Sequence, residues 1–335
     1  MTHRLIVQRA LSAGSPAGGV PVTLALPPGL HAILGTPTDG TTSIAELVGG
    51  MARPRAGQVL VAGREPYREP SLRARIGVTL APPSLPDVGT VERLLRICME
   101  TRGGDARAML ERLGLAPLAT RRITSLTPDE ARAVELAIAL ATPNPLVLAL
   151  TEPFANTAGA DRGAVTEAMQ HAAAAGAAVL AMTASVADAA DLGGQVHLFE
   201  RGVVTRTLSS LAVAELPGSE AALRVTTNDP RALAAALTDL ETVRSVTWDE
   251  ARGLSFVTVR GPDLDRVGFA VARAAQRAGA RIYAIQSITP GLEEVRAAAS
   301  GLALAAYHAA YRHGSGTPMT APPAQPGPRA SEASS

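Results

Sequence analysis

Residues 29–48 read GLHAILGTPTDGTTSIAELV. His31 to Leu34 is a short apolar run ending at Gly35, as a buried strand does. Ile44, Leu47 and Val48 fall on one face of a helix that starts near Thr41. Between them lies Gly35-Thr36-Pro37-Thr38-Asp39-Gly40-Thr41-Thr42-Ser43. A strand, a glycine-flanked loop and a helix start are the setting of a phosphate-binding loop, G-x-x-x-x-G-K-[ST], where backbone N–H groups and the helix dipole attract an anion. Gly35 and Gly40 fit, and Thr42 sits where a Mg²⁺-binding hydroxyl belongs. Thr41 stands at the lysine position, Pro37 has no N–H to offer, and Asp39 brings a negative charge where phosphate would sit. Taken alone, an ordinary strand-turn-helix explains the stretch better.

The missing lysine belongs to a wider feature. All 31 basic residues are Arg, and the 335-residue chain contains no Lys. Schiff-base chemistry and any catalytic or phosphate-binding Lys are therefore excluded. A formal net charge of +1 argues against a dedicated nucleic-acid binder, which carries a basic excess. Cys98 is the one cysteine, so no internal disulfide forms, and its apolar setting LLRICM reads as a buried thiol. Leu5-Ile6-Val7 is too short for a signal-peptide core, and no uncharged apolar stretch reaches the roughly 18 residues of a membrane span. A soluble, cytoplasmic chain is expected, peripheral at most at the inner face of a membrane. The six histidines show no metal-ligand grouping, and no metal site is expected.

Working outward, strands are expected over Val20–Leu26, Val59–Ala62, Ile76–Leu80, Leu146–Leu150 and Val179–Met182. Helices are expected over Val91–Thr101, Ala106–Leu113, Asp129–Ala141 and Arg162–Ala175, then a hairpin of Val196–Phe199 with Val203–Arg206. Strands alternating with helices indicate an α/β domain with a mostly parallel sheet. After Pro217-Gly218 the pattern restarts as strand, helix, two strands, helix, strand and a last helix over Leu292–Tyr311. That order is the ferredoxin-like split βαβ. Trp248 reads as core of this part. From Gly314 the chain is Pro, Ser, Ala and Gly with almost no large apolar residue, so 314–335 is expected to be a disordered tail.

The downstream order identifies a family. Gly29 leading into the strand and loop, then GGMARPRAGQVLVAGREP, resembles the opening of an ATP-binding cassette, the nucleotide-binding domain of ABC transporters. Arg75–Leu80 and Leu85–Glu92 resemble its next conserved stretch, and SLTPDEARAVELAIAL (Ser125–Leu140) matches the spacing of its signature helix. LVLALTEP (Leu146–Pro153) resembles the second nucleotide motif, and Gly176–Val204 the switch region and terminal hairpin. Arg281–Val295, ending TPGLEEV, resembles the C-terminal extension of cassettes serving ABC-2 type exporters. The resemblance implies an α/β fold: a P-loop NTPase-like cassette with a RecA-like core over 1–214, including a helical subdomain at about 82–141. A small ferredoxin-like α+β domain over 219–313 follows.

Most chemical residues of that family differ here. The glutamine that senses Mg²⁺ and the membrane partner corresponds to Ala81, and the signature Ser-Gly-Gly-Gln to Thr127-Pro128-Asp129-Glu130. The Mg²⁺ aspartate corresponds to Thr151 and the switch histidine to Ala184. Glu152 matches the catalytic carboxylate, and without a positioned phosphate it reads as a residual or solvated turn residue. Gly35, Thr36, Asp39, Gly40, Thr41, Thr42 and Ser43 form a degenerate phosphate loop. Thr127, Pro128 and Glu130 read instead as an N-cap, an N1 proline and the far half of a capping box. ATP and Mg²⁺ follow from the resemblance, with weak or absent binding expected. The partners it implies are an ABC-2 type permease and a second cassette, touched by the helices between about Val91 and Ala141. Three functional readings follow: a pseudo-ATPase cassette with a structural or regulatory role in export, an atypical active ATPase, and a binding scaffold outside transport.

Overall fold

A computed structural model describes residues 3–12, 19–155, 157–214, 221–251, 254–261, 264–288, 291–293 and 295–301. The elements up to the signature helix are β1 (Leu5–Ser12), β2 (Val22–Leu26), β3 (Gly29–Leu34), α1 (Thr41–Val48), β4 (Pro54–Val61), α2 (Pro70–Arg73), β5 (Ile76–Val78), α3 (Val91–Arg102), α4 (Ala106–Arg112) and α5 (Pro128–Leu140). Then come β6 (Val147–Thr151), α6 (Arg162–Ala174), β7 (Ala178–Thr183), α7 (Val186–Asp191), β8 (Gln195–Glu200), β9 (Val203–Ser209) and α8 (Ser210–Ala214). The last described elements are β10 (Ala221–Thr227), α9 (Pro230–Thr238), β11 (Ser245–Ala251), β12 (Leu254–Gly261), α10 (Leu264–Ala278) and β13 (Ile282–Ile288).

Nine strands form one sheet in the order β4-β1-β2-β9-β8-β3-β7-β6-β5. The run β8-β3-β7-β6-β5 is parallel, while β4-β1-β2 and the β8–β9 hairpin are antiparallel. Every residue of β6 and β7 is buried, as strands covered on both faces must be. One face packs with Ile44 and Leu47 of α1 around Leu24, Val61 and Phe199. The other carries α3 to α6 through Leu94, Leu110, Val134 and Val165. The parallel run is what assembles the site. Leu34 lies opposite Thr183, and Thr151 opposite Met182, so the loops leaving β3, β6 and β7 emerge side by side. Ligands of open α/β sheets bind at this carboxyl edge.

The sequence pattern left two stretches of this sheet unread. β1 was not expected as a strand, and β4 starts at Pro54 rather than Val59. Residues 54–58 are largely exposed, so they carry no apolar alternation, and backbone pairing with β1 makes them a strand.

Four strands form a second sheet, β11-β12-β10-β13, antiparallel throughout. Leu233 and Leu237 of α9 and Val267 and Val271 of α10 pack on Val225, Val257 and Val259. Connectivity and strand order are those of the split βαβ unit. Trp248 is not core: it is 43% exposed at the β11 edge, with the Arg231 guanidinium 4.9 Å from its ring centre. Residues 292–293 and 295–301 are helical. Leu292, Val295 and Ala299 pack into the cluster of the first sheet. The remainder of the expected last helix, His308, His313 and the tail 314–335 lie outside the described residues.

Candidate functional site

The loop after β3 is closed on itself. The Gly35 N–H donates to Thr183 O at 3.0 Å, and a Cβ at Gly35 would lie 2.9 Å from Phe199 O, so only glycine lets β3 run so close to β8. Pro37–Asp39 is a single 3₁₀ turn. Its hydrogen bonds run from the Asp39 N–H to Thr36 O and from the Gly40 N–H to Pro37 O, both at 3.0 Å. Gly40 leaves the turn at φ +102°, a conformation open to glycine. Thr41, at the lysine position, is buried, and its hydroxyl donates back to Thr36 O at 3.0 Å.

Asp39 turns its carboxylate inward. Oδ2 accepts from the Thr36 N–H at 2.8 Å, the Thr36 hydroxyl at 2.6 Å and Arg296 Nη2 at 2.7 Å, while Oδ1 accepts from the Arg201 N–H at 3.3 Å. Burial by itself would raise the Asp39 pKa. The Thr36 hydroxyl and N–H, Arg296 and the Arg201 N–H outweigh it and hold the carboxyl at about 2. Nothing in the sequence sets Arg296 apart from the other arginines. The signal available was Asp39 itself: a carboxylate in a loop without lysine needs a cation from elsewhere.

At the end of β6, Thr151 is paired with Thr79. The Thr151 N–H donates to Thr79 Oγ1 at 2.7 Å, and Thr151 Oγ1 donates to Thr79 O at 3.1 Å. Arg132 Nη1 donates to Thr151 O at 3.2 Å. Next in the chain, Glu152 holds φ +47°, which a residue with a side chain adopts only under constraint. The constraint is visible. Its N–H donates to Met182 O at 2.7 Å, Oε2 accepts the Thr183 hydroxyl at 2.8 Å, and Oε1 accepts the Ala184 N–H at 2.9 Å. Thr183 Oγ1 in turn accepts from the Ser185 N–H at 3.0 Å, and Ser185 caps α7. Glu152 is therefore no solvated turn residue; it clamps the end of β6 to the end of β7.

The start of α5 is the expected capping box. The Glu130 N–H donates to Thr127 Oγ1 at 3.2 Å, the Thr127 N–H donates to Glu130 Oε2 at 2.9 Å, and Arg121 pairs with Glu130 Oε1 at 3.1 Å. Three buried polar side chains, Glu135, His31 and His197, were not singled out from the sequence. Glu135 of α5 accepts from the Leu80 N–H at 3.0 Å and the Ser84 N–H at 3.4 Å, on either side of Ala81. Burial pushes its pKa to about 7 against the pull of those N–H groups and Arg132. His31 and His197 bond Nδ1 to Nε2 at 3.1 Å between β3 and β8, with Pro27 O on one side and the Thr207 hydroxyl on the other. Carbonyl Pro27 O only accepts, so His31 carries its proton on Nε2, His197 donates from Nε2, and Thr207 donates to His197 Nδ1. Burial and His31 lower the His197 pKa to about 4.

Part of the donor set of this loop is engaged within the loop itself. Two loop N–H groups are bonded to loop carbonyls, Pro37 has none, and Thr41 brings no charge. Mg²⁺ is held through carboxylates, and the last residue of β6, Thr151, offers a hydroxyl already bonded to a carbonyl. No group of three or more His, Cys, Asp or Glu among the described residues is placed to hold a metal ion.

The chain's relatives were found by comparison with known proteins. The ABC transporter family model matches residues 21–155. The daunorubicin resistance ATP-binding protein DrrA3 of Streptomyces coeruleorubidus is 27% identical over 277 residues, covering 79% of this chain and 85% of its own. The biotin transport ATP-binding protein BioM of Rhizobium etli is 30% identical over 154 residues, 43% of this chain and 67% of its own. The ribose import ATP-binding protein RbsA 3 of Rubrobacter xylanophilus is 27% identical over 196 residues, 55% of this chain, which spans 39% of that protein's length. Among solved structures, an ATP-binding subunit of an ABC transporter aligns with TM-score 0.52 at 22% identity, over 62% of this chain and 90% of that one. The ADP- and phosphate-bound dimeric cassette MJ0796 aligns with TM-score 0.51 at 17% identity, over 62% and 98%.

Proposed function

The chain belongs to the ATP-binding cassettes of the ABC transporter family, and from that premise we propose that it is a pseudo-ATPase cassette with a structural or regulatory role in an ABC-2 type export complex. Cassettes of this family generally bind ATP with Mg²⁺. Here nucleotide binding is weak or absent. The observation that carries the reading is the self-closed loop, in which the Asp39 and Gly40 N–H groups and the Thr41 hydroxyl all bond to loop carbonyls. The acidic capped start of α5 supports it from the other side, because Asp129 and Glu130 stand where a partner cassette's phosphate would meet a free helix N-terminus.

The chain divides into a cassette up to about residue 214 and a ferredoxin-like module that begins near 219, and the helical residues after β13 pack back on the cluster of the first sheet. The alignment with the daunorubicin resistance protein extends over 277 residues, longer than the cassette, which supports an export-type cassette with this extension. The partners are a membrane permease and a second cassette, and the protein sits peripherally at the cytoplasmic face. No described helix is long and apolar enough to cross a membrane. A groove on the helical subdomain, lined by Leu95, Met99 and Ala119 and rimmed by Glu92 and Arg107, suits contact with the permease. The positions that would meet a nucleotide are the loop residues Gly35, Thr36, Asp39, Gly40, Thr41, Thr42 and Ser43, and Glu152.

Calorimetric titration with Mg²⁺-ATP followed by phosphate release tests the proposal. The expected result is no binding at micromolar nucleotide and no turnover. Tight binding, with turnover that disappears in Glu152→Gln, overturns it and establishes an atypical ATPase.

A further inference from the structure

Two features of the loop are unexplained by lost ATPase chemistry alone. Its carboxylate is buried rather than turned to water, and its cation comes from 257 positions later in the chain. The Asp39 and Arg296 side chains are 9% and 14% exposed. Arg296 Nη2 also donates to Phe199 O at 2.7 Å, and Nη1 pairs with Glu293 at 2.6 Å. The helical residues around it pack Val295 and Ala299 into the cluster of the first sheet, and Arg206 Nη1 donates to Ala299 O.

We propose that the loop is an anion site filled from within by the Asp39 carboxylate, and that Arg296 makes it the docking point for the helical segment following β13. The ligand class is a small carboxylate, supplied by the chain itself. Four donors converge on it: the Thr36 N–H and hydroxyl, the Arg201 N–H and Arg296 Nη2. Those contacts hold Pro37–Asp39 in the turn that engages the loop N–H groups. The segment leaves the second sheet and ends on the first, so the pair fastens the four-stranded module to the cassette. A buried ion pair of this kind gives specificity of arrangement more than net stability, because both charges lose water. Arg296 Nε has no partner among the described residues, which adds to that cost.

The test uses the full chain and reads stability and amide exchange, so it is independent of whether nucleotide binds. Removing one member leaves a buried charge, so Asp39→Ala and Arg296→Met should each lose about a hundredfold or more in the folding equilibrium constant. The double variant should lose far less than the product of the two. Formate should restore Asp39→Ala saturably while leaving Asp39→Asn, whose side chain still fills the gap, unchanged. Independent losses in the double variant, or an equal response of Asp39→Ala and Asp39→Asn to formate, overturn the proposal. Should Asp39→Ala not fold, Arg296→Lys serves. Exchange at 295–301 should then rise while β10–β13 keeps its protection, and unchanged exchange at 295–301 overturns the docking role.

Discussion

Glu135→Gln should change the pH dependence of stability in a way that can be calculated. Glu135 is 8% exposed, and it binds α5 to the chain on both sides of Ala81. Its pKa rises from an ordinary 4.5 to about 7, chiefly because burial disfavours the charged form. The folded state therefore holds a proton between those values that the unfolded state has released, so stability falls as pH rises through this window. At about 1.4 kcal/mol per tenfold, the displacement amounts to about 3 kcal/mol in full, of which about 2–3 kcal/mol falls between pH 5 and pH 8. Gln keeps a carbonyl oxygen for the Leu80 N–H and cannot ionise. Urea denaturation of both proteins at pH 5, 6, 7 and 8 gives the difference directly, and all other titrating groups cancel. The variant should gain about 2–3 kcal/mol on wild type between the ends of the series. Parallel curves would refute the assignment, and with it the claim that Glu135 is buried against the 80–84 segment.

The histidine pair acts with the opposite sign. His197 titrates near 4 when folded and near 6.5 when unfolded, so stability should fall by about 3 kcal/mol as pH drops through that interval. Ring NMR at pH 5 should find His197 neutral, and a protonated ring there would contradict the buried pair. Thr79→Val removes the acceptor of the buried Thr151 N–H and should cost about 1–3 kcal/mol, read from the urea midpoint. Thr127→Ala should cost about 1 kcal/mol by losing the N-cap of α5, lowering Tm by a few degrees.

The fold was legible where apolar side chains mark which faces of an element are covered. β6 and β7 are continuous apolar runs, α1 shows its face through Ile44 and Leu47, and the capping box at Thr127 is written in four consecutive residues. The loss was in elements that side chains do not specify. The start of β4 is exposed and formed by backbone pairing alone, and α7 is a six-residue helix defined by its Ser185 cap. Within the site, the sequence located each position but not its bonding. Glu152 looked residual because nothing in LTEP reveals that the next strand returns Thr183 and Ala184 to its carboxylate. His31 and His197 are 166 positions apart and meet only because β3 and β8 pair in parallel.

That bonding bears on the proposed loss of nucleotide chemistry. Simple decay of an ATP site would leave buried donors and acceptors facing an absent ligand, each costing about 1–3 kcal/mol. Instead Thr79 and Thr151 satisfy each other, and Glu152 binds both the hydroxyl of Thr183 and the N–H of Ala184. Among the described residues, none of the buried side-chain atoms without a partner belongs to Thr41, Thr79, Thr151, Glu152 or Thr183. Restoring family residues singly should therefore harm before it helps. An aspartate at 151 would direct its carboxylate at Thr79 O in place of a donated hydroxyl, an acceptor against an acceptor in a buried site. Thr41→Lys would break the bond to Thr36 O and place its charge beside a carboxylate already paired with Arg296. A site of separately decayed motifs would tolerate such reversions one at a time. A site whose polar groups have re-formed around one another would not, and loss of stability in Thr151→Asp before any gain in nucleotide affinity is the result that distinguishes the two.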